Sequence, residues 1–182
     1  MNNLSALLIG PTDKTKIFRH GKISKDEYSD YRDKIASVLA EHISNLGIIP
    51  DEGMPLDFAK SYKNFGGKKV VGYIPKGGCE SLNCFYKFCD NIEEIDGGWT
   101  VLNTCLSLKH NIMIGFGLSP GTIVEIAYTK YHNKYLNRRI PIFLDRNLIE
   151  SRLNPEIEEE LALSYFSSSE ELGKLLQEIK KK

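Results

Sequence analysis

The chain has 182 residues, and Lys plus Arg equals Asp plus Glu at 24 each, so its formal net charge is zero. That balance excludes a general electrostatic pull toward nucleic acid or anionic lipid, and apolar and charged fractions of 41% and 26% are those of a soluble globular protein. The length predicts a single domain over residues 1–182, with enough chain to bury a sizeable core.

The first segment, "MNNLSALLIGPTDK", carries no basic leader, and its apolar run is cut by Gly10 and Pro11. It reads as a strand over 5–9 followed by the loop "GPTDKTK". No stretch approaches the roughly 20 apolar residues that span a bilayer, so no membrane partner is expected and a cytoplasmic location is the default. From 25 to 46, apolar residues recur in steps of three and four, which predicts an amphipathic helix. "GIIP" then gives a very short strand. The segment from 51 to 67 repeats the helical spacing through Met54, Phe58, Ala59 and Tyr62, with Gly66 and Gly67 as its stop. A strand over 68–75 follows.

The next region, "KGGCESLNCFYKFCDNIEEIDGG", is the least regular and predicts a loop with a short strand near 89–94. Cys79, Cys84 and Cys89 stand at every fifth position, which matches no paired C-x-x-C zinc spacing. With Cys105 they read as buried thiols, and neither they nor the four histidines predict a metal site. No cofactor is called for. A helix over 99–110, a strand over 112–116, a further helix, a strand over 138–145, an edge strand "LALSYF" and a closing Ser-Glu-Glu helix complete the chain. Short, β-branched strands alternating with helices predict an α/β Rossmann-like fold of three layers. Its sheet would be mainly parallel, with helices on both faces. Such sheets bind ligands beyond the carboxyl ends of their strands, where strand order reverses.

Three loops are then site candidates by position, at 10–16, 50–54 and 117–122. The third stands in "HNIMIGFGLSPGTIVEIAYTKY", residues 110–131, where a strand meets a small-residue turn and a helix with an early carboxylate. Gly117 and Gly121 would let backbone approach a ligand, and the first amides of the helix would attract an anion. Two purely structural accounts compete. "TIVE" fits a capping box in which Glu125 reaches back to the chain, and Ser119-Pro120 fits a helix start.

"GLSPGTIVE", Gly117 to Glu125, resembles the P-G-G-x-G-T-x-x-E signature of Lonely-Guy-type proteins. These belong to the wider Rossmann-like nucleotide-binding superfamily that includes the DNA-processing protein DprA. Gly121, Thr122 and Glu125 match, and "FGGKKVVGYIPK" at 65–76 is similar to the strand entry of that family. The resemblance implies a homodimer that binds a small-molecule nucleotide or nucleoside, with no nucleic-acid partner. It gives Glu125 the catalytic place beside the sugar of an N-glycosidic bond, and sets phosphate on the amides from Ser119 to Thr122. Gly53 is what remains of a second glycine-rich loop. In the first loop, Gly10, Thr12 and Lys14 would touch phosphate, with a solvent-facing turn as the alternative.

Several positions depart from that pattern. Leu102 stands where active relatives carry Arg, Asn103 where they carry Lys, and Asn111 where they carry Asp. Asp51 and Glu52 bring negative charge to the loop that held glycines. The sequence therefore predicts a nucleotide-binding module with eroded hydrolase chemistry. An N-glycosidic enzyme, either a phosphoribohydrolase or a deoxyribosyltransferase-like protein, and a dimeric scaffold without catalysis are the alternatives.

Overall fold

The computed structural model describes residues 4–78 and 80–181; Cys79 lies outside them. Seven strands form one sheet: β1 (Ser5–Ile9), β2 (Asn45–Ile48), β3 (Lys69–Pro75), β4 (Asn91–Ile95), β5 (Ile112–Gly115), β6 (Pro141–Asp145) and β7 (Ala162–Phe166). Every pairing is parallel, in the order β4-β3-β2-β1-β5-β6-β7. The order reverses between β1 and β5, so the loops after these two strands diverge to opposite sides of the sheet and leave a crevice between them.

Side chains alternate along β1. Leu4, Ala6 and Leu8 join a core with α2 (Tyr28–His42), α3 (Met54–Asn64) and α7 (Ser169–Lys180). Leu7 and Ile9 join a second core on the opposite face with α4 (Gly98–Cys105) and α5 (Pro120–Leu136). Both faces of the central strands are covered, which is why they read as continuous apolar runs. Phe116, just beyond β5, stacks flat on Phe58 of α3 at 3.6 Å and meets Phe166 edge-on at 6.5 Å. This aromatic row ties the reversal point to the helices on one face.

Four local differences from the sequence reading have plain causes. The loop "GPTDKTK" contains a short helix, α1 (Lys14–His20), which starts because the Asp13 side chain accepts from Thr15 N at 3.0 Å. The helix expected over 25–46 stops at His42, because Ile43 turns extended and the next residues enter β2 between β1 and β3. The polar stretch before β7 holds α6 (Pro155–Glu160), capped by Asn154. Cys84 is exposed rather than buried, whereas Cys89 and Cys105 are partly buried and their thiols are pushed up by burial, that of Cys89 to about 11.

Among the described residues no helix is long and apolar enough to cross a membrane, and no three His, Cys, Asp or Glu side chains gather as a metal-binding group. His110 is buried beside Tyr73 and, through burial, is pushed down to about 4, so it stays neutral within the core.

Candidate functional site

The crevice at the strand reversal is a cleft of about 170 Å³. Gly10 and Thr12 line it from the loop after β1, Ile49, Asp51 and Pro55 from the chain between β2 and α3, and Trp99 and Asn103 from α4. Ser119, Gly121, Thr122 and Glu125 close it from the start of α5. Six of the sequence-predicted site residues thus share one wall system: Gly10, Thr12, Ser119, Gly121, Thr122 and Glu125.

Capping of α5 falls to Ser119. Its hydroxyl accepts from Thr122 N at 3.2 Å and pairs with the Thr122 hydroxyl at 2.9 Å, while Ile123 N donates to its carbonyl at 2.9 Å. Pro120 brings no N–H to the first turn. Among the described residues the Gly121 amide has no protein acceptor. The anion cradle expected from Ser119 to Thr122 therefore amounts to one free amide plus the helix dipole.

Glu125 does not fold back on the chain. The residue is 8% exposed and, among the described residues, its carboxyl takes part in no hydrogen bond or ion pair. Burial alone pushes its pKa up to about 8. A carboxyl desolvated with no compensating partner is costly, and protonation is how the fold tolerates it at neutral pH. Aimed into a cleft at a strand reversal, such a group is the usual sign of a ligand-contacting position.

The other predicted residues lie outside the cleft. Lys14 faces α3, where its ammonium sits 2.9 Å from Asp57 Oδ2. Gly53 caps α3 with φ of 144°, and a Cβ there would stand 2.5 Å from Thr12 Cα. Only glycine lets these two loops touch. Gly117 faces Pro11 and Ile17. Leu102 is fully buried in the core between α4 and the sheet, so no cation enters from that helix. Asn111 accepts from Ser5 N and Ser5 Oγ, each at 2.9 Å, at the amino ends of β1 and β5, and is structural.

Sequence reasoning passed over Trp99 and Pro55 as lining residues. The available signal for Trp99 was the pair Gly97-Gly98 ahead of it, which take φ of 100° and 70° between β4 and α4. The turn sets an indole, 43% exposed, over the cleft mouth. Asp51 also lines the cleft, with Oδ1 accepting from Glu52 N at 2.7 Å. The lining thus holds two carboxyls, three hydroxyls, one carboxamide, an indole and no cation.

No protein-family model matches the sequence, and no curated protein matches it. Solved structures do. The structural-genomics target TM1055 is similar over 96% of this chain and 99% of its own, with a TM-score of 0.70 and 14% identity. The molybdenum cofactor carrier protein of Chlamydomonas reinhardtii matches over 100% of both chains, with a TM-score of 0.66 and 17% identity. DNA processing protein A of Helicobacter pylori, described by its single-stranded DNA binding mode, matches 97% of this chain and 81% of its own at 0.62 and 12%. The protein shares the Rossmann-like α/β fold of these structures. At such identities the likeness fixes the fold alone.

Burial of Glu125 has a thermodynamic signature. Its folded pKa, about 8, exceeds its ordinary value of 4.5, so between those values the folded state holds a proton that the unfolded chain has released. The contribution is full below about pH 4.5 and is lost as pH rises through about 8. Glu125→Gln should flatten this part of the stability profile. At pH 9 it should exceed the wild type by on the order of a few kcal/mol in chemical denaturation, whereas near pH 4 the two should coincide.

Proposed function

We propose that the protein binds a nucleoside or a nucleotide-derived small molecule in the cleft, with its sugar against Glu125 and Asp51 and its base against Trp99. The observation that carries this reading is the buried, unpartnered carboxyl of Glu125 at the strand reversal. Protonated, it donates to a hydroxyl; ionised, it accepts from one. The cleft volume of about 170 Å³ is below the roughly 300–1,000 Å³ of pockets that enclose whole ligands. It therefore suits a ribose-sized part, and the remainder of a larger molecule would run out across the indole.

Phosphate fits this lining poorly. A dianion would meet one free amide and the dipole of α5 on one side and the carboxyls of Asp51 and Glu125 on the other, with no lysine or arginine to offset them. Phosphate-free nucleosides are accordingly the better ligands. The molybdenum cofactor carrier supports a small-molecule partner for this fold. The DNA-processing neighbour shows that the fold itself does not exclude nucleic acid, although zero net charge here supplies no general attraction to it.

A second reading, chemistry at an N-glycosidic bond, is favoured by the same carboxyl, since Glu125 could give its proton to the base as the glycosidic bond breaks, and the carboxylate left behind would stabilise the developing oxocarbenium ion until water adds to it. Its check is release of free base from nucleosides, abolished by Glu125→Gln; the binding-only reading expects none.

We also propose that the chain pairs with itself through α5. Val124, Tyr128, Tyr131 and Tyr135 are 40%, 41%, 64% and 81% exposed along that helix. A helix apolar on its outer as well as its inner face is normally covered. Light scattering during size exclusion should give twice the chain mass, and Tyr128→Glu with Tyr131→Glu should halve it.

Trp99 is the single tryptophan of the chain and borders the cleft, so it reports binding directly. A purine nucleoside should change its fluorescence saturably, and more tightly than the corresponding 5′-monophosphate. Gly121→Ala, whose added methyl meets nothing closer than Ser119 Oγ at 3.8 Å, should fold normally yet weaken binding by narrowing the cleft. A nucleoside panel without response at millimolar concentration would overturn the reading.

A further inference from the structure

The cleft lacks a cation, but the adjoining chain does not. Lys14 is only two residues beyond Thr12, which lines the cleft, and it opens α1. Asp57, two residues beyond cleft-lining Pro55, stands in the first turn of α3 and holds the Lys14 ammonium at 2.9 Å. The pair is sheltered, with side chains 33% and 15% exposed. Tyr28 closes it from α2, its hydroxyl 3.4 Å from the same Asp57 oxygen and 3.3 Å from Met54 Sδ. The chain segments that lead into α1 and α3 are locked together, where Gly53 meets Thr12 and Met54 N donates to the Pro11 carbonyl at 3.1 Å.

This arrangement is directional. Asp13 is occupied in capping α1 through Thr15, with bonds of 3.0 Å and 2.6 Å, so Asp57 is the one carboxylate ion-paired to Lys14 among the described residues. Asp51, on the loop that leads into α3, belongs to the cleft lining. A Lys14 side chain freed from Asp57 would find its next favourable potential at the carboxyls of the cleft or at an anion bound there.

We propose that Asp57 is a specificity-determining residue: by retaining Lys14 behind the wall it keeps the cleft free of positive charge and selects phosphate-free ligands over phosphorylated ones. The proposal rests on the reading that the cleft receives a nucleoside. In it Asp57 touches no ligand and acts only through the lysine it holds.

The test compares a purine nucleoside with its 5′-monophosphate, each titrated by Trp99 fluorescence into the wild type and Asp57→Asn. Asparagine keeps the shape and can still accept from Tyr28. The monophosphate should gain about tenfold in affinity, the size expected when one partly screened charge joins a binding site, while nucleoside affinity moves less than twofold. The gain should shrink with added salt and vanish in Asp57→Asn combined with Lys14→Met.

If nucleoside binds both proteins and the monophosphate gains nothing, the role of Asp57 is overturned and the cleft reading stands. If neither ligand binds the wild type, both fall. Lys14→Met alone covers the case in which Asp57→Asn does not fold. It should leave monophosphate affinity unchanged, and a loss there would show that Lys14 already serves the ligand, which contradicts the proposal.

Discussion

Glu125 sits where β1 and β5 part, largely buried and, among the described residues, with no hydrogen-bond or ion-pair partner for its carboxyl. Desolvation of this kind is among the larger penalties a fold can carry, and the surroundings show that structure does not require it. Ser119 already caps α5 and engages Thr122, so the cap does not need Glu125. The adjacent Ile126 fills the core without help from the acid. What remains is a group held in a hollow, ready to exchange its proton or a hydrogen bond with whatever enters. The proposed preference for sugar hydroxyls and the pH signature both descend from that one carboxyl, and with Asp51 it makes phosphate a poor fit.

The rest of the molecule fixes where the carboxyl points. Seven parallel strands buried on both faces give a stiff sheet, and the reversal of order at its centre produces the crevice without any further device. Close contacts behind the crevice hold its two sides in register. Gly53 lies against Thr12, Gly117 against Pro11, and Phe116 against Phe58. The wall carried by α4 is built differently. That short helix buries Leu102 and enters from two left-handed glycines, which set Trp99 at the cleft. A carboxyl and an aromatic plane lining one cleft suit a ligand with a hydroxylated end and a flat end.

Much of this was legible in the sequence, for physical reasons that differ from element to element. Short continuous apolar runs mark β1, β3 and β5, because both of their faces are buried, and period-3.6 spacing marks α3 and α5. The join between α2 and β2 was not legible: Ile43 and Leu46 continue the helical spacing of Ile35 and Leu39, and only pairing with β1 and β3 turns them into strand. The short helix α1 escaped because its seven residues bury Ile17 alone, too few for periodicity, and its start rests on the single cap Asp13.

Positions within the candidate site divide in the same way. The loop "GLSPGT" and Glu125 could be placed from the strand-turn-helix pattern and the family resemblance. Whether Glu125 capped its own helix or faced a ligand could not, since "TIVE" satisfies both patterns and Ser119 decides between them by three-dimensional geometry. Lys14 looked free in the sequence because Asp57 is 43 residues away. Trp99 looked like a helix residue and became a cleft wall only through the glycine turn ahead of it.

The most direct measurement is a crystal structure of the protein soaked or co-crystallised with a purine nucleoside. The account predicts the sugar in the crevice between the loops after β1 and β5, a hydroxyl within hydrogen-bond distance of the Glu125 carboxyl, and the base lying on Trp99. A ligand seated elsewhere, with Glu125 turned onto a protein partner and the crevice filled by side chains, would contradict it.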